Sequence, residues 1–257
     1  MRANVMKIRA VIFDLGGTLE DVYYDDSFRL QAMPGVQEIL GKHSLDLGLT
    51  TSELYAVIKT GIKKYNQWRE QENRELSPER VWTEFIFAQY ASLAEKITAI
   101  GEELAFYWDA RCSTRVMRPE VPATLDSLRE HGYRLGVISN IMSRTMVPYQ
   151  LAKYGIAQYL SVIIASTEFG WRKPSERLFL AAAEQMGCTP RECAYVGDTI
   201  SRDVIGARRA HYGLAIQIKS FLTTVSDKET DTTQPDAIVQ HLTEVVGLVK
   251  KFDGEEK

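Results

Sequence analysis

The chain has 257 residues, a length for one large domain or two unequal ones, and its 45% hydrophobic and 25% charged content argues against general disorder. A net charge of −3 with no basic tract argues against nucleic acid or an anionic membrane as partner, and no apolar run nears the ~20 residues of a membrane helix. Cys112, Cys188 and Cys193 form no CxxC pair and imply no disulfide framework; with no secretory signal visible, the expected location is cytoplasmic.

Residues 8–14 (IRAVIFD) form an apolar run that ends at an aspartate before Gly16-Gly17, and they read as a buried parallel strand. Beyond it the period changes. Leu54, Val57, Ile58 and Ile62 fall at helical spacing, as do Trp82, Phe85, Ile86 and Leu93, then Ile97, Ile100, Leu104 and Trp108. This predicts at least three helices without a strand, two of them joined by the polar stretch 66–78. Trp68, Trp82 and Trp108 belong to their aromatic core, with one of them a candidate to face a ligand.

From Leu125 and Leu128, on a further helix, the chain returns to alternation. Strands are predicted at 133–140, 160–166, 193–198, Leu214–Ile218 and Ala237–Val239. Helices are predicted at 143–154, 176–186, 201–211 and 242–252. Residues 219–236, polar and rich in Thr and Asp, read as a solvated loop. Strands alternating with single helices indicate βαβ units, an α/β fold with a parallel sheet.

Four short signals stand at strand ends: Asp14-Leu15-Gly16-Gly17-Thr18, Ser139-Asn140, Lys173-Pro174, and Gly197-Asp198-Thr199 with Asp203 five residues after Asp198. Open α/β sheets bind ligands beyond the carboxyl ends of their strands, so the four can converge on one crevice. Ser139 to Lys173 is 34 residues and Lys173 to Asp198 is 25, each about one βα unit. Asp14 to Ser139 is 125 residues, so a module is inserted after the first strand. Alone, Asp14 is as readily a turn residue, Asp198 a helix cap and Lys173 a surface charge; the ordered set carries the inference.

FDLGGTL, ISN, RKPS and GDTISRDVIGAR, in this order and spacing, resemble the haloacid dehalogenase-like (HAD) hydrolases. The resemblance covers the first strand and nearly all of 118–218. It implies a Rossmann-like core, residues 1–19 and 113–257, with a helical cap domain, residues 20–112, inserted after the first strand. It also implies Mg²⁺-dependent transfer of phosphate from a small phosphorylated metabolite to water. Asp14 would be the nucleophile. Asp14, the Gly16 carbonyl and Asp198 would hold Mg²⁺, with Asp203 holding a metal-bound water or orienting Lys173. Lys173, Ser139 and the amides of Leu15 and Asn140 would steady the phosphoryl oxygens. The chemistry is coherent: a carboxylate can form an acyl phosphate, and two anionic partners need a hard cation between them.

One position departs from the family's phosphatases. Two residues after the nucleophile they carry an aspartate that protonates the leaving oxygen; here it is Gly16. Three readings follow: a phosphatase that does without this acid or borrows one, with Glu20, Asp25 and Asp26 as suspects; a dehalogenase attacking carbon; or a silent ligand-binding relative. Carbon–halogen displacement needs no metal, so retention of Asp198 and Asp203 favours phosphate. Weaker candidates fall away. Residues 35–42 miss the P-loop spacing by one residue and put His43 where Ser or Thr belongs, and His43, His131, His211 and His241 lack ligand spacing.

Overall fold

The computed structural model describes residues 7–227 and 232–254. Six strands form one parallel sheet: β1 (Ala10–Phe13), β4 (Arg134–Ser139), β5 (Leu160–Ala165), β6 (Cys193–Gly197), β7 (Leu214–Ile218) and β8 (Ala237–Val239). Their order is β5-β4-β1-β6-β7-β8. Successive side chains of a strand point to opposite faces, and in β1 both faces are buried. Val11 and Phe13 join one apolar layer with the helices Val121–Glu130, Met146–Lys153 and Thr243–Phe252. Ala10 and Ile12 join the other with the helix Glu176–Gln185. The sheet is thus covered on both sides, which is why its strands are continuous apolar runs. The chain builds outward from β1 in both directions, so the switch point lies at its carboxyl end, beside β4 and β6.

Between β1 and β4 lies a helical layer, entered and left through an antiparallel ribbon of β2 (Glu20–Tyr23) and β3 (Thr114–Met117), in which Glu20 pairs with Met117 and Tyr23 with Thr114. The sequence predicted no strand here; both are four residues long and mix charged with apolar side chains, too short for periodicity to register. The helix Asp26–Lys42 is capped by Asp25, and Thr51–Glu72 by a box of Thr50 and Glu53. The second helix runs through much of the polar stretch expected to be a linker and ends at Asn73, whose left-handed backbone (φ 52°) stops it. A π-turn at Val81–Ile86 leads to the helices Ala94–Ala99 and Gly101–Arg111. Met33, Ile58, Trp82, Ile97 and Leu104 head an apolar cluster of this layer that takes in Met142 from the loop after β4.

Two polar seams join layer to sheet. At one, an isolated bridge pairs Arg74 with Trp171, and Glu75 N–H donates to the Gly170 carbonyl at 3.3 Å. At the other, Glu79, Glu102 and Asp109 grip the loop 141–145.

Residues 219–236 are not wholly the expected loop. Ser220 opens a helix, Phe221–Ser226, through a capping box with Thr223; residues 228–231 lie outside the described residues. Among the described residues no helix is long and apolar enough to cross a membrane.

Candidate active site

Asp14 continues β1, its N–H donating to the Val196 carbonyl at 2.9 Å, and this delivers its buried carboxylate to the switch point. Its Oδ1 accepts from the Leu15 N–H at 2.7 Å and lies 2.7 Å from Lys173 Nζ. The Leu15 amide expected to hold a phosphoryl oxygen is therefore occupied by Asp14 here. Gly17 turns the chain with φ +90°, and a Cβ there would come within 2.5 Å of Asp198 Oδ2. Both the dihedral and the close approach require glycine.

The second motif secures the third. Asn140 clasps the main chain of Lys173, accepting from its N–H at 2.9 Å and donating to its carbonyl at 3.1 Å. The buried Lys173 ammonium then spans Asp14 and Asp203, 2.7 Å from a carboxylate oxygen of each, with the Tyr195 hydroxyl at 3.0 Å. Asp203 is saturated. Its Oδ1 takes Lys173 and Tyr195, and its Oδ2 accepts from Thr199 N–H at 3.0 Å and Thr199 Oγ1 at 2.6 Å. Asp198 is not: Oδ2 accepts from Ser220 Oγ at 2.6 Å, while the buried Oδ1 has no hydrogen-bond partner among the described residues.

Charge is crowded here. Burial, partly offset by Lys173, pushes the Asp14 carboxyl up to about 6. Burial, reinforced by Asp203 and Asp14, pushes Asp198 up to about 7. Burial acts on Asp203 in the same sense, but Lys173 and Arg202 outweigh it and hold that carboxyl below its ordinary value. Burial opposes the Lys173 charge, yet Asp14 and Asp203 raise the ammonium pKa.

A divalent cation fits this arrangement. Asp14, Asp198 and Asp203 each bring one oxygen within 4.8 Å of the others. The orphaned Asp198 Oδ1 is the kind of buried acceptor a hard cation satisfies. With its oxygens engaged, Asp203 suits a supporting position rather than direct ligation.

Above these carboxylates lies a cavity of about 260 Å³ between sheet and helical layer. Asp14, Gly16, Ser139, Asn140 and Lys173 line its floor, and Ile62, Asn66, Arg69 and Trp108 face them from the helical layer. Ser139 is buried, and its hydroxyl has no protein partner among the described residues. Of the three tryptophans in the helical layer, Trp108 is the one that lines the cavity.

Glu20, Asp25 and Asp26, the suspects for a borrowed acid, do not line it. Glu20 is fully buried between Arg115 and Tyr154, Asp25 caps its helix, and Asp26 accepts from Tyr55 and Lys59. The carboxylate that does face the cavity is Asp109, pushed up to about 6 by burial against the pull of Arg115. Sequence reasoning missed Asp109, Tyr195 and Ser220, and gave Thr199, though within the fourth signal, no role of its own. Ser220 alone had a local signal, the Ser-x-x-Thr box inside a stretch read as loop.

The haloacid dehalogenase-like hydrolase family matches residues 8–211. The chain belongs to that family. It is 25% identical over 245 residues to the glyceraldehyde 3-phosphate phosphatase of Methanopyrus kandleri, covering 95% of this chain and 98% of that protein. It is 28% identical over 236 residues to the enzyme of the same name from Methanothermobacter thermautotrophicus, covering 90% and 95%. Among solved structures, the 2-haloacid dehalogenase of Pseudomonas syringae pv. Tomato superposes with a TM-score of 0.65 at 20% identity, over 95% of this chain and 99% of that one. A HAD phosphatase from Thermococcus onnurineus gives 0.58 at 20% identity, over 97% and 99%. These superpositions concern fold. In this HAD hydrolase the four sequence signals at Asp14, Ser139, Lys173 and Asp198 meet at one crevice.

Proposed function

We propose that this HAD hydrolase is a Mg²⁺-dependent phosphatase that releases phosphate from a small phosphomonoester through an aspartyl phosphate on Asp14. The observation that carries this is the unpartnered, buried Asp198 Oδ1 beside the Asp14–Lys173–Asp203 array, a cation site next to a nucleophile. Attack on carbon would have no use for it. The full-length phosphatase relatives support the same reading. We take residues 20–112 as a cap over a core of 1–19 and 113–257, and a cavity of about 260 Å³ between them favours a small metabolite over a macromolecule.

The side chains divide the work. Asp14 Oδ1 is held by Leu15 N–H and Lys173, which leaves Oδ2 to attack phosphorus. As the Oδ2–phosphorus bond forms, the bond to the leaving oxygen breaks and its electron pair departs with that oxygen. Ser139 Oγ and Lys173 donate to phosphoryl oxygens as charge shifts onto them. A water then attacks the same phosphorus and the phosphorus–Oδ2 bond breaks, returning the Asp14 carboxylate; one proton of the water stays on the inorganic phosphate and the other passes through solvent to the departed oxygen. Asp203 acts through Lys173, fixing its ammonium. Asp14, the Gly16 carbonyl and Asp198 would hold Mg²⁺, which neutralises charge between carboxylate and phosphoryl group. With glycine at 16, no side chain there moves a proton.

The test is Asp14→Asn assayed on an aryl phosphate with Mg²⁺. Activity should fall by about 10³-fold or more while the thermal melt stays close to wild type. Unchanged turnover overturns the aspartyl mechanism.

A further inference from the structure

The helical wall facing Asp14 carries charge that the reaction does not use. Arg29 and Arg69 both line the cavity and come from the inserted layer, opposite Lys173 and Ser139. The Arg29 guanidinium lies over the Tyr24 ring at 4.0 Å and near the Trp108 ring at 5.0 Å. Its Nε reaches the Cys112 carbonyl at 3.5 Å, and among the described residues no carboxylate lies within ion-pair distance of it. Arg69 has one weak carboxylate contact, Nη1 to Glu75 Oε1 at 3.4 Å, and its buried Nε has no partner. Glu75 is also shared with Arg172, at 3.7 Å, and with the Tyr65 hydroxyl. Two guanidinium groups thus share a single carboxylate, and Arg29 has none among the described residues.

The remaining charges of the wall are accounted for. Arg115 pairs with Glu20, and Asp109 Oδ2 is taken by the N–H groups of Met142 and Ser143. Both arginines are half-buried at the cavity wall, so an incoming anion adds the counter-charge that Arg29 lacks and that Arg69 must share. The aromatic stacking fixes the Arg29 plane and leaves its terminal nitrogens as a fork suited to a carboxylate or phosphate.

We propose that Arg29 and Arg69 form a subsite for a second anionic group, so that the substrate is a small phosphomonoester bearing a carboxylate or a second phosphate at its other end. The inference rests on the phosphatase reading and adds to it a substrate class. The scissile phosphate would lie on the floor with Lys173 and Ser139. The second oxyanion would lie against the cap, across a spacer short enough for the cavity.

The test compares kcat/KM for esters that differ only in the tail: the monophosphates of glycolate (carboxylate) and of ethylene glycol (neutral), and ethylene glycol bisphosphate, with p-nitrophenyl phosphate as reference. Wild type should prefer one or both anionic tails over the neutral one by about tenfold to a hundredfold. Which anionic tail leads tells carboxylate from phosphate. Arg29→Gln and Arg69→Gln should each cut that preference by about tenfold, mostly through KM, and Arg29→Lys should restore part of it. Equal kcat/KM for neutral and anionic tails in wild type, with the aryl ester turned over, overturns the subsite and leaves the phosphatase reading standing. A preference untouched by either glutamine variant also overturns it. Release of phosphate from none of the esters defeats the reading and the subsite together.

Discussion

Gly16 stands where the resemblance to HAD phosphatases implies a proton donor, and its surroundings define what a side chain there would meet. A Cβ there would meet Val22 at 3.5 Å, Leu222 at 3.8 Å and Arg115 Nη1 at 3.9 Å, all ordinary contacts, so the backbone accepts a side chain. Without the acid, the leaving oxygen departs with more negative charge. Rates should rise steeply as leaving-group pKa falls, with aryl and acyl phosphates ahead of alkyl ones. A positioned acid is worth about 10²–10⁴ in rate. Gly16→Asp places its carboxylate beside Arg115, whose charge favours the ionised form and limits the gain. Alkyl rates should still rise, by about tenfold, the lower part of that range, and a plot of log rate against leaving-group pKa should flatten. A wild-type plot already flat, with chemistry rate-limiting, would mean that another group supplies the proton; Asp109 would be the first to substitute. The floor of the site was legible because Asp14, Ser139 and Asp198 sit where apolar runs end and Lys173 stands just before the next helix, positions a sequence shows directly. Arg29, Arg69, Arg115 and Asp109 were not. Each reaches the cavity only through the pose of the helical layer over the sheet, and nothing local in the sequence encodes that pose.

The helical layer grips the loop after β4 through carboxylates. Glu102 Oε1 accepts from Ser143 Oγ at 2.7 Å, Thr145 N–H at 3.1 Å and Thr145 Oγ1 at 2.8 Å, and its Oε2 from Arg144 N–H at 3.1 Å. Glu102→Ala leaves these donors unmatched and should cost about 1–3 kcal/mol, a fall of several degrees in melting temperature. Beside it, the hydrogen bond from Arg144 holds the Glu79 carboxyl down at about 2, against the effect of burial. A carboxyl whose pKa is lower folded than unfolded adds stability above its unfolded pKa, about 4.5, and loses it as pH falls toward 2. The side chains of this pair are 37% and 24% exposed, so solvent screens it and its worth is about 0.2–1 kcal/mol. Glu79→Gln should therefore lower the melting temperature slightly at pH 7, and the difference from wild type should shrink as pH falls from 4.5 through about 2, or in high salt. A difference that persists undiminished in high salt would mean that packing, not charge, is responsible. The same elements show what the sequence could carry. Strands of the sheet are mostly apolar, and Leu214–Ile218 and Ala237–Val239 were legible to the residue. The β2–β3 ribbon gave no such signal, because four residues of mixed polarity do not make a period. The helix Phe221–Ser226 was hidden because its sequence is half polar, and packing near Gly16 and Tyr23 holds it in place.

At the scale of the whole molecule, two bodies of apolar packing share one site, and metal binding tests whether they unfold as one. The proposed cation ligands, Asp14, Gly16 and Asp198, lie at the ends of β1 and β6, in the sheet body alone. Without a cation, these clustered carboxylates repel one another across Lys173. A ligand that binds only the folded state stabilises it by about 2.7 kcal/mol at a hundredfold its Kd, so Mg²⁺ should raise the melting temperature by several degrees, and EDTA should reverse the change. Asp198→Asn should remove the Mg²⁺ shift. It should also melt higher than metal-free wild type, because it deletes a buried charge beside two others. The chain has four tryptophans, of which Trp68, Trp82 and Trp108 lie in the helical layer, so tryptophan fluorescence reports on that layer while circular dichroism reports on the whole fold. Met142 in the helical cluster and the carboxylate grips on 141–145 tie the two bodies together. We therefore expect Mg²⁺ to move both transitions by the same amount. A fluorescence transition that stays put while the dichroism transition rises would show that the layer melts on its own and that these ties do not couple it to the sheet.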